Sequence, residues 1–161
     1  MLKWLCMTIL TVLVGLSMVG NSSAADRKKG IAAYLDGNYD MAMQELRPVA
    51  EEGDLNAQFL VGEMYFKGLG TDRDFAKAFD WYFKAAQSGH AQAQANIGSM
   101  IALGLEQTRN MSTAYYWLIL SAIWTDTDLK TSAYNALSDV APLLTPEEKD
   151  TIAARASNVW R

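Results

Sequence analysis

Residues 62–86 read GEMYFKGLGTDRDFAKAFDWYFKAA. The composition suits a helix, yet glycines fall at 62, 68 and 70. A glycine inside a helix costs about 1 kcal/mol against alanine, so each one needs a reason. The reason is repetition. Set against the chain 36 residues on, Ala57-Gln58 meets Ala93-Gln94, Gly62 meets Gly98, Met64 meets Met100, and Gly68-Leu69 meets Gly104-Leu105. Arg73, Ala78, Trp81 and Ala86 likewise meet Arg109, Ala114, Trp117 and Ala122, which makes ten identities over residues 57–86 and 93–122. A weaker register runs backwards, with Ala42, Ala50 and Gly53 under Ala78, Ala86 and Gly89. A period in the mid-thirties marks stacked helix–turn–helix units.

Each repeated residue has a physical job in such a unit. Gly62 and Gly98 fall inside the first helix of a pair, where a missing side chain lets the second helix come close. Ala78, Ala86, Ala114 and Ala122 are the small partners expected opposite. Gly68 and Gly104 fall near the end of the first helix, where glycine adopts a left-handed backbone cheaply. Asp72 or Asp74 then caps the next helix by accepting from its orphan N–H groups. Trp81-Tyr82 and Tyr116-Trp117 supply bulk and read as core.

Ala57, Gly62, Tyr65, Gly68, Gly70, Asp74, Ala78, Trp81, Tyr82, Lys84, Ala85, Ala86 and Gly89 together resemble a Sel-one-like repeat, the longer-looped cousin of the tetratricopeptide repeat. The next unit, 91–122, departs from that pattern, with Ile101 for the tyrosine, Glu106 for the second glycine and Asn110 for the loop aspartate, so its loop is expected to be remodelled. Gly30 to Gly53, with the short turn Asp36-Gly37-Asn38-Tyr39-Asp40, resembles an ordinary tetratricopeptide repeat. The resemblance covers roughly residues 27–125 and implies an all-α, right-handed α-solenoid of about three repeats.

Beyond Asp126 the period is lost. Leu129, Ala133, Ala136, Leu137 and Val140 share one face, which predicts a helix over 127–140, ended by Pro142. Thr145-Pro146-Glu147-Glu148 is a strong helix start, with Thr145 as N-cap, Pro146 in the first turn and Glu148 closing a capping box. Residues 127–161 therefore read as a capping helix pair at the end of the stack, in a chain of eight helices and no strands.

The other end is a separate object. MLKWLCMTILTVLVGLSMVGNSSAAD has one early cation, an apolar run over residues 4–19 and a small polar stretch. This is the pattern of a secretory signal peptide at residues 1–24, cut after Ala24 or Ala25, and the run is short for a spanning helix. An uncleaved N-terminal anchor is the rival reading. Cleavage implies a periplasmic or secreted protein, with the mature domain at 26–161 and no membrane span. It also removes Cys6, the only cysteine, so the mature chain has no disulfide and no thiolate metal site.

Little in the chain points to chemistry. The net charge of −4 lacks the basic stripe that nucleic acid requires. His90, the only histidine, follows Gly89 at a helix start and reads as a surface or cap residue. No phosphate loop, redox dithiol, zinc spacing or nucleophile elbow is present, so no enzyme, cofactor or metal site is expected. What a short superhelix offers is a concave groove. Mapping the family's inner positions gives Asn56, Phe59, Glu63, Phe66 and Lys67 from one helix, and Gln92, Ser99 and Leu103 from the next. Phe59 and Phe66 either form an exposed patch for another protein or lie under a neighbouring helix.

The expected function is a non-enzymatic protein–protein interaction module of the periplasm, a scaffold, adaptor or regulator. A narrower alternative is an immunity or inhibitor protein that blocks a basic periplasmic or delivered effector enzyme. A second alternative is a peptidoglycan-binding or peptidoglycan-hydrolysing envelope protein.

Overall fold

The computed structural model describes residues 24–105, 110–124 and 127–159. The expected signal peptide falls, but for Ala24, outside the described residues, as does most of the loop at 106–109 that was expected to be remodelled. Among the described residues eight α-helices follow one another: α1 (24–35), α2 (Tyr39–Glu51), α3 (Leu55–Lys67), α4 (Phe75–Gln87), α5 (Ala91–Leu103), α6 (Met111–Trp124), α7 (Thr127–Val140) and α8 (Pro146–Ser157). There is no strand among the described residues. From α2 to α7 each helix packs on its chain neighbour, and α5 also touches α7. Serial contact of this kind makes an α-solenoid rather than a bundle around one centre.

The helix ends follow from local chemistry. Asn38, Asp54, Asp74 and His90 each cap a helix by accepting from a backbone N–H three residues on. Of the two aspartates expected near α4, Asp74 is therefore the cap. Gly68 and Gly104 end α3 and α5 with φ of 71° and 68°, the left-handed stop expected of them. At the far end α7 stops at Val140, a 3-10 turn spans Ala141–Leu143, and Thr145 and Glu148 form the capping box that opens α8. Both α7 and α8 lie against α6.

The close approach of paired helices has a different partner from the one the spacing suggested. A Cβ on Gly62 would lie 2.7 Å from the Tyr82 ring, and one on Gly98 would lie 2.6 Å from Leu118 and 3.0 Å from the Ala114 carbonyl. The notch thus holds the residue one turn beyond Ala78 or Ala114, not the alanine side chain. Those alanines are themselves fully buried and let the backbones meet beside the notch. The same device recurs in the first pair, where Gly30 faces Leu46 at 2.6 Å. Gly30 precedes its partner by fewer residues because only Asp36–Asn38 join α1 to α2, whereas residues 68–74 join α3 to α4.

The core runs along the stack as two clusters. One holds Ala33, Leu46, Val49, Val61, Met64 and Trp81; the other holds Tyr82, Ile97, Met100, Leu118, Leu137 and Val140. Trp81 and Tyr82 are buried as expected, but Tyr116 and Trp117 are only half-buried. Trp117 meets Phe83 edge-on at 5.7 Å and joins α6 to α4.

The repeated Ala-Gln pair also gains a reason. Gln58 and Gln94 are buried, and each donates through Nε2 to the carbonyl of Ala50 or Ala86 at 3.1 Å. Each glutamine gives a helix-end carbonyl, which already accepts from the Gly53 or Gly89 N–H, a second hydrogen bond and so ties one unit to the unit before it.

Candidate partner-binding groove

The buried stripe of α3 is Ala57, Gln58, Val61, Gly62 and Met64. Helical geometry turns Phe59, Glu63, Phe66 and Lys67 to another side, one turn apart in succession. On α5 the buried stripe includes Ala93, Gln94, Ile97, Gly98 and Ile101, which leaves Gln92, Asn96, Ser99 and Leu103 together. Between these two stripes lies a cavity of about 440 Å³, within the range of ligand sites. Seven of the eight residues expected on the concave face line it: Phe59, Glu63, Phe66, Lys67, Gln92, Ser99 and Leu103. Asn56 does not; it is exposed, one turn before Phe59, and His90 stacks on that ring at 4.6 Å to close this end.

Tyr82, Asn96, Met100 and Leu105 also line the cavity and had not been expected there. Asn96 was within reach of sequence reading, since it lies one turn beyond Gln92. Tyr82 was not, because it reaches the groove only by crossing the notch at Gly62. Both phenylalanines are half-buried, which lies between the two readings of them. Phe59 rests on His90 and, at 5.7 Å, on Tyr82; Phe66 rests on Phe75 at 5.3 Å and on Tyr82 at 6.3 Å. Their remaining surface faces the cavity.

The electrostatics centre on Glu63. Its carboxylate accepts from the Lys67 ammonium one turn later. Burial pushes the Tyr34 hydroxyl above its ordinary pKa, and the charge and hydrogen bond of Glu63 push it further. Burial likewise raises the Tyr82 hydroxyl, Glu63 adds to the rise, and a hydrogen bond from Asn96 opposes it. Burial lowers the pKa of His90, whose Nδ1 accepts from the Ala93 N–H at 3.2 Å. His90 is therefore a neutral helix cap, as read from the sequence. Among the described residues no three His, Cys, Asp or Glu side chains converge as a metal would require. The groove presents aromatic faces, carboxamides and one ion pair.

The groove continues past Leu103. A second cavity of about 230 Å³ lies between α5 and α7, lined in part by Ser99, Leu103, Met111, Val140 and Leu143, with Asp139 at its edge. Leu103 is 71% exposed and Leu143 59% exposed, unusual for leucine. No helix among the described residues is long and apolar enough to cross a membrane.

A family model described as Sel1 repeat matches residues 55–90 and 91–123, which span α3–α4 and α5–α6. Comparison with curated proteins gives no match. Among crystal structures, the chain is similar to a protective antigen present in uropathogenic Escherichia coli strains that displays an SLR fold. The two share 21% identity and a TM-score of 0.73, over 89% of this chain and 32% of that one. It is also similar to a Sel1 repeat protein from Oxalobacter formigenes, at 28% identity and a TM-score of 0.65, over 80% of this chain and 51% of that one. The chain thus spans less than two thirds of either protein. The glycine notches, left-handed helix stops and buried glutamines of α3–α6 are accordingly those of two Sel1 repeats, which the chain carries at residues 55–90 and 91–123.

Proposed function

We propose that this protein is an exported, non-enzymatic interaction module whose groove between α3 and α5 grips another protein. Sel1 repeats mediate protein–protein interactions in general. The observation that carries the reading here is the groove itself: half-buried Phe59 and Phe66, exposed Leu103, and carboxamides at Gln92 and Asn96 around one cavity of about 440 Å³. Aromatic anchors beside polar groups are the composition of a binding hot spot. The apolar leader supports a periplasmic site of action.

The test is affinity capture from an envelope extract with the mature protein, its Phe66→Asp variant, and a Gln87→Ala variant on exposed α4 surface away from the cavity. The expected result is one protein held by wild type and Gln87→Ala and lost by Phe66→Asp, with direct binding of the purified pair by calorimetry. Equal retention by all three, or by none, overturns the groove reading. The identity of the captured protein separates the finer cases. A basic hydrolase bound near 1:1 and silenced by binding makes the protein an inhibitor of an effector. Assembly components make it a scaffold. Sedimentation with cell-wall sacculi, unaffected by Phe66→Asp, would move the function to the envelope-binding alternative.

A further inference from the structure

We propose that the α3–α5 groove receives an arginine side chain of the partner, with its guanidinium seated on the Glu63 carboxylate against the Phe66 ring and Lys67 turned out to solvent. This inference rests on the groove reading above and names the chemistry of what fills it.

The two charged side chains of the cavity are not equivalent. Glu63 is 19% exposed, flanked one turn on either side by Phe59 and Phe66, and faced by the Tyr34 hydroxyl. Lys67 is 51% exposed at the end of α3. The anion is built into the wall, while the cation is a counter-ion on a flexible stem, free to leave. The other residues restrict what replaces it. A carboxylate in the cavity would meet Glu63. A purely apolar side chain would strip water from Glu63, Gln92 and Asn96 without giving them a partner. A cation on an apolar stem satisfies both halves of the site.

Arginine suits it better than lysine. Its planar guanidinium stacks on an aromatic face and binds a carboxylate through a fork of two N–H groups. Lysine offers only a point charge, which the site already has in Lys67. The wider charge distribution agrees. The chain carries −4 overall, and the exposed Asp139, which lines the adjoining cavity, makes no ion pair among the described residues. Once Lys67 moves aside, the charged side chains left lining the two cavities are Glu63 and Asp139, both anionic.

The experiment is an NMR titration of the mature protein with pentapeptides of sequence acetyl-Gly-Gly-Xaa-Gly-Gly-amide, in which Xaa is arginine, lysine or leucine. Arginine should bind tightest, by about threefold to tenfold over lysine, with saturable shifts at the Phe66 and Tyr82 rings. Glu63→Gln should weaken the arginine peptide about tenfold and abolish its advantage over leucine. Lys67→Ala should tighten it a few-fold, because the competing cation is gone. Leucine binding as well as arginine, loss of affinity on Lys67→Ala, or no saturable shift with any peptide each overturns the proposal. Those failures leave the capture experiment with Phe66→Asp standing, so the arginine assignment and the groove reading fail separately.

Discussion

The two Sel1 repeats share a skeleton and differ in what they show to the groove. Gly62 and Gly98, Gln58 and Gln94, and Gly68 and Gly104 do the same work in each. The groove positions are another matter. At the positions aligned with Phe59, Glu63, Phe66 and Lys67 the second repeat has Ala95, Ser99, Ala102 and Leu103, of which Ser99 and Leu103 line the groove and Ala95 is buried. Across the notch, Tyr82 gives way to Leu118. The difference teaches that the fold constrains one side of α3 and α5 and leaves the other to function. The aromatic and charged character is concentrated in the first repeat, while the second supplies the carboxamides of Gln92 and Asn96 and the walls of Ser99, Met100 and Leu103.

The sharpest way to break this comparison is at Tyr82. Tyr82→Ala empties a notch whose occupant is 1% exposed, and should cost about 3–5 kcal/mol by urea unfolding. Tyr82→Leu, which installs the second repeat's residue, should cost roughly 1–2 kcal/mol. If the two cost the same, the notches are not equivalent. Next come the glycines. Gly98→Ala pushes a methyl toward both Leu118 and the fixed Ala114 carbonyl, whereas Gly62→Ala meets only a side chain. Overpacking of about 1–3 kcal/mol is expected at Gly98, with a smaller loss at Gly62. A larger loss at Gly62 would mean that the Tyr82 ring is held more rigidly than the α6 backbone.

The buried glutamines sharpen the comparison instead. Gln58→Ala and Gln94→Ala each remove one of two hydrogen bonds to a helix-end carbonyl and should cost about 0.5–1.5 kcal/mol apiece. Melting temperatures that fall by similar amounts would show the two ties to be one device used twice. The smallest effect concerns His90. Its pKa is lowered from the ordinary 6.5 by burial, so the folded state holds its proton less tightly than the unfolded chain. The stability this contributes is fully present above pH 6.5 and is lost as pH falls through the folded-state pKa. His90→Asn keeps a capping side chain and should flatten that part of the pH–stability curve. An unchanged curve would show that the imidazole titrates normally in the folded protein.

Much of this was legible in the sequence because it is local. The Thr145–Glu148 box, the stop at Gly68, a cap at Asp72 or Asp74 and the bounds of α7 depend on a few adjacent residues and were readable, with the choice of Asp74 left to the structure. Seven groove residues were readable because the resemblance to a Sel-one-like repeat carried the family's inner positions onto α3 and α5. The notch partners were not, because whether Ala78 or Tyr82 faces Gly62 depends on how two helices cross. The buried role of Gln58 was hidden as well: a glutamine on a helix is ordinarily solvated, and only the nearness of the Ala50 carbonyl makes burial favourable. The cavity beside Leu103 required the placement of α7, where the repeat had already ended.

Tyr82 belongs to both halves of the comparison. Its ring wedges α3 from α4, and its hydroxyl is bonded by Asn96 of α5, across the next boundary. Three successive rods therefore pivot on a single phenol. A cargo seated on Phe59 and Phe66 would therefore press on the same ring that sets the spacing of α3 and α4.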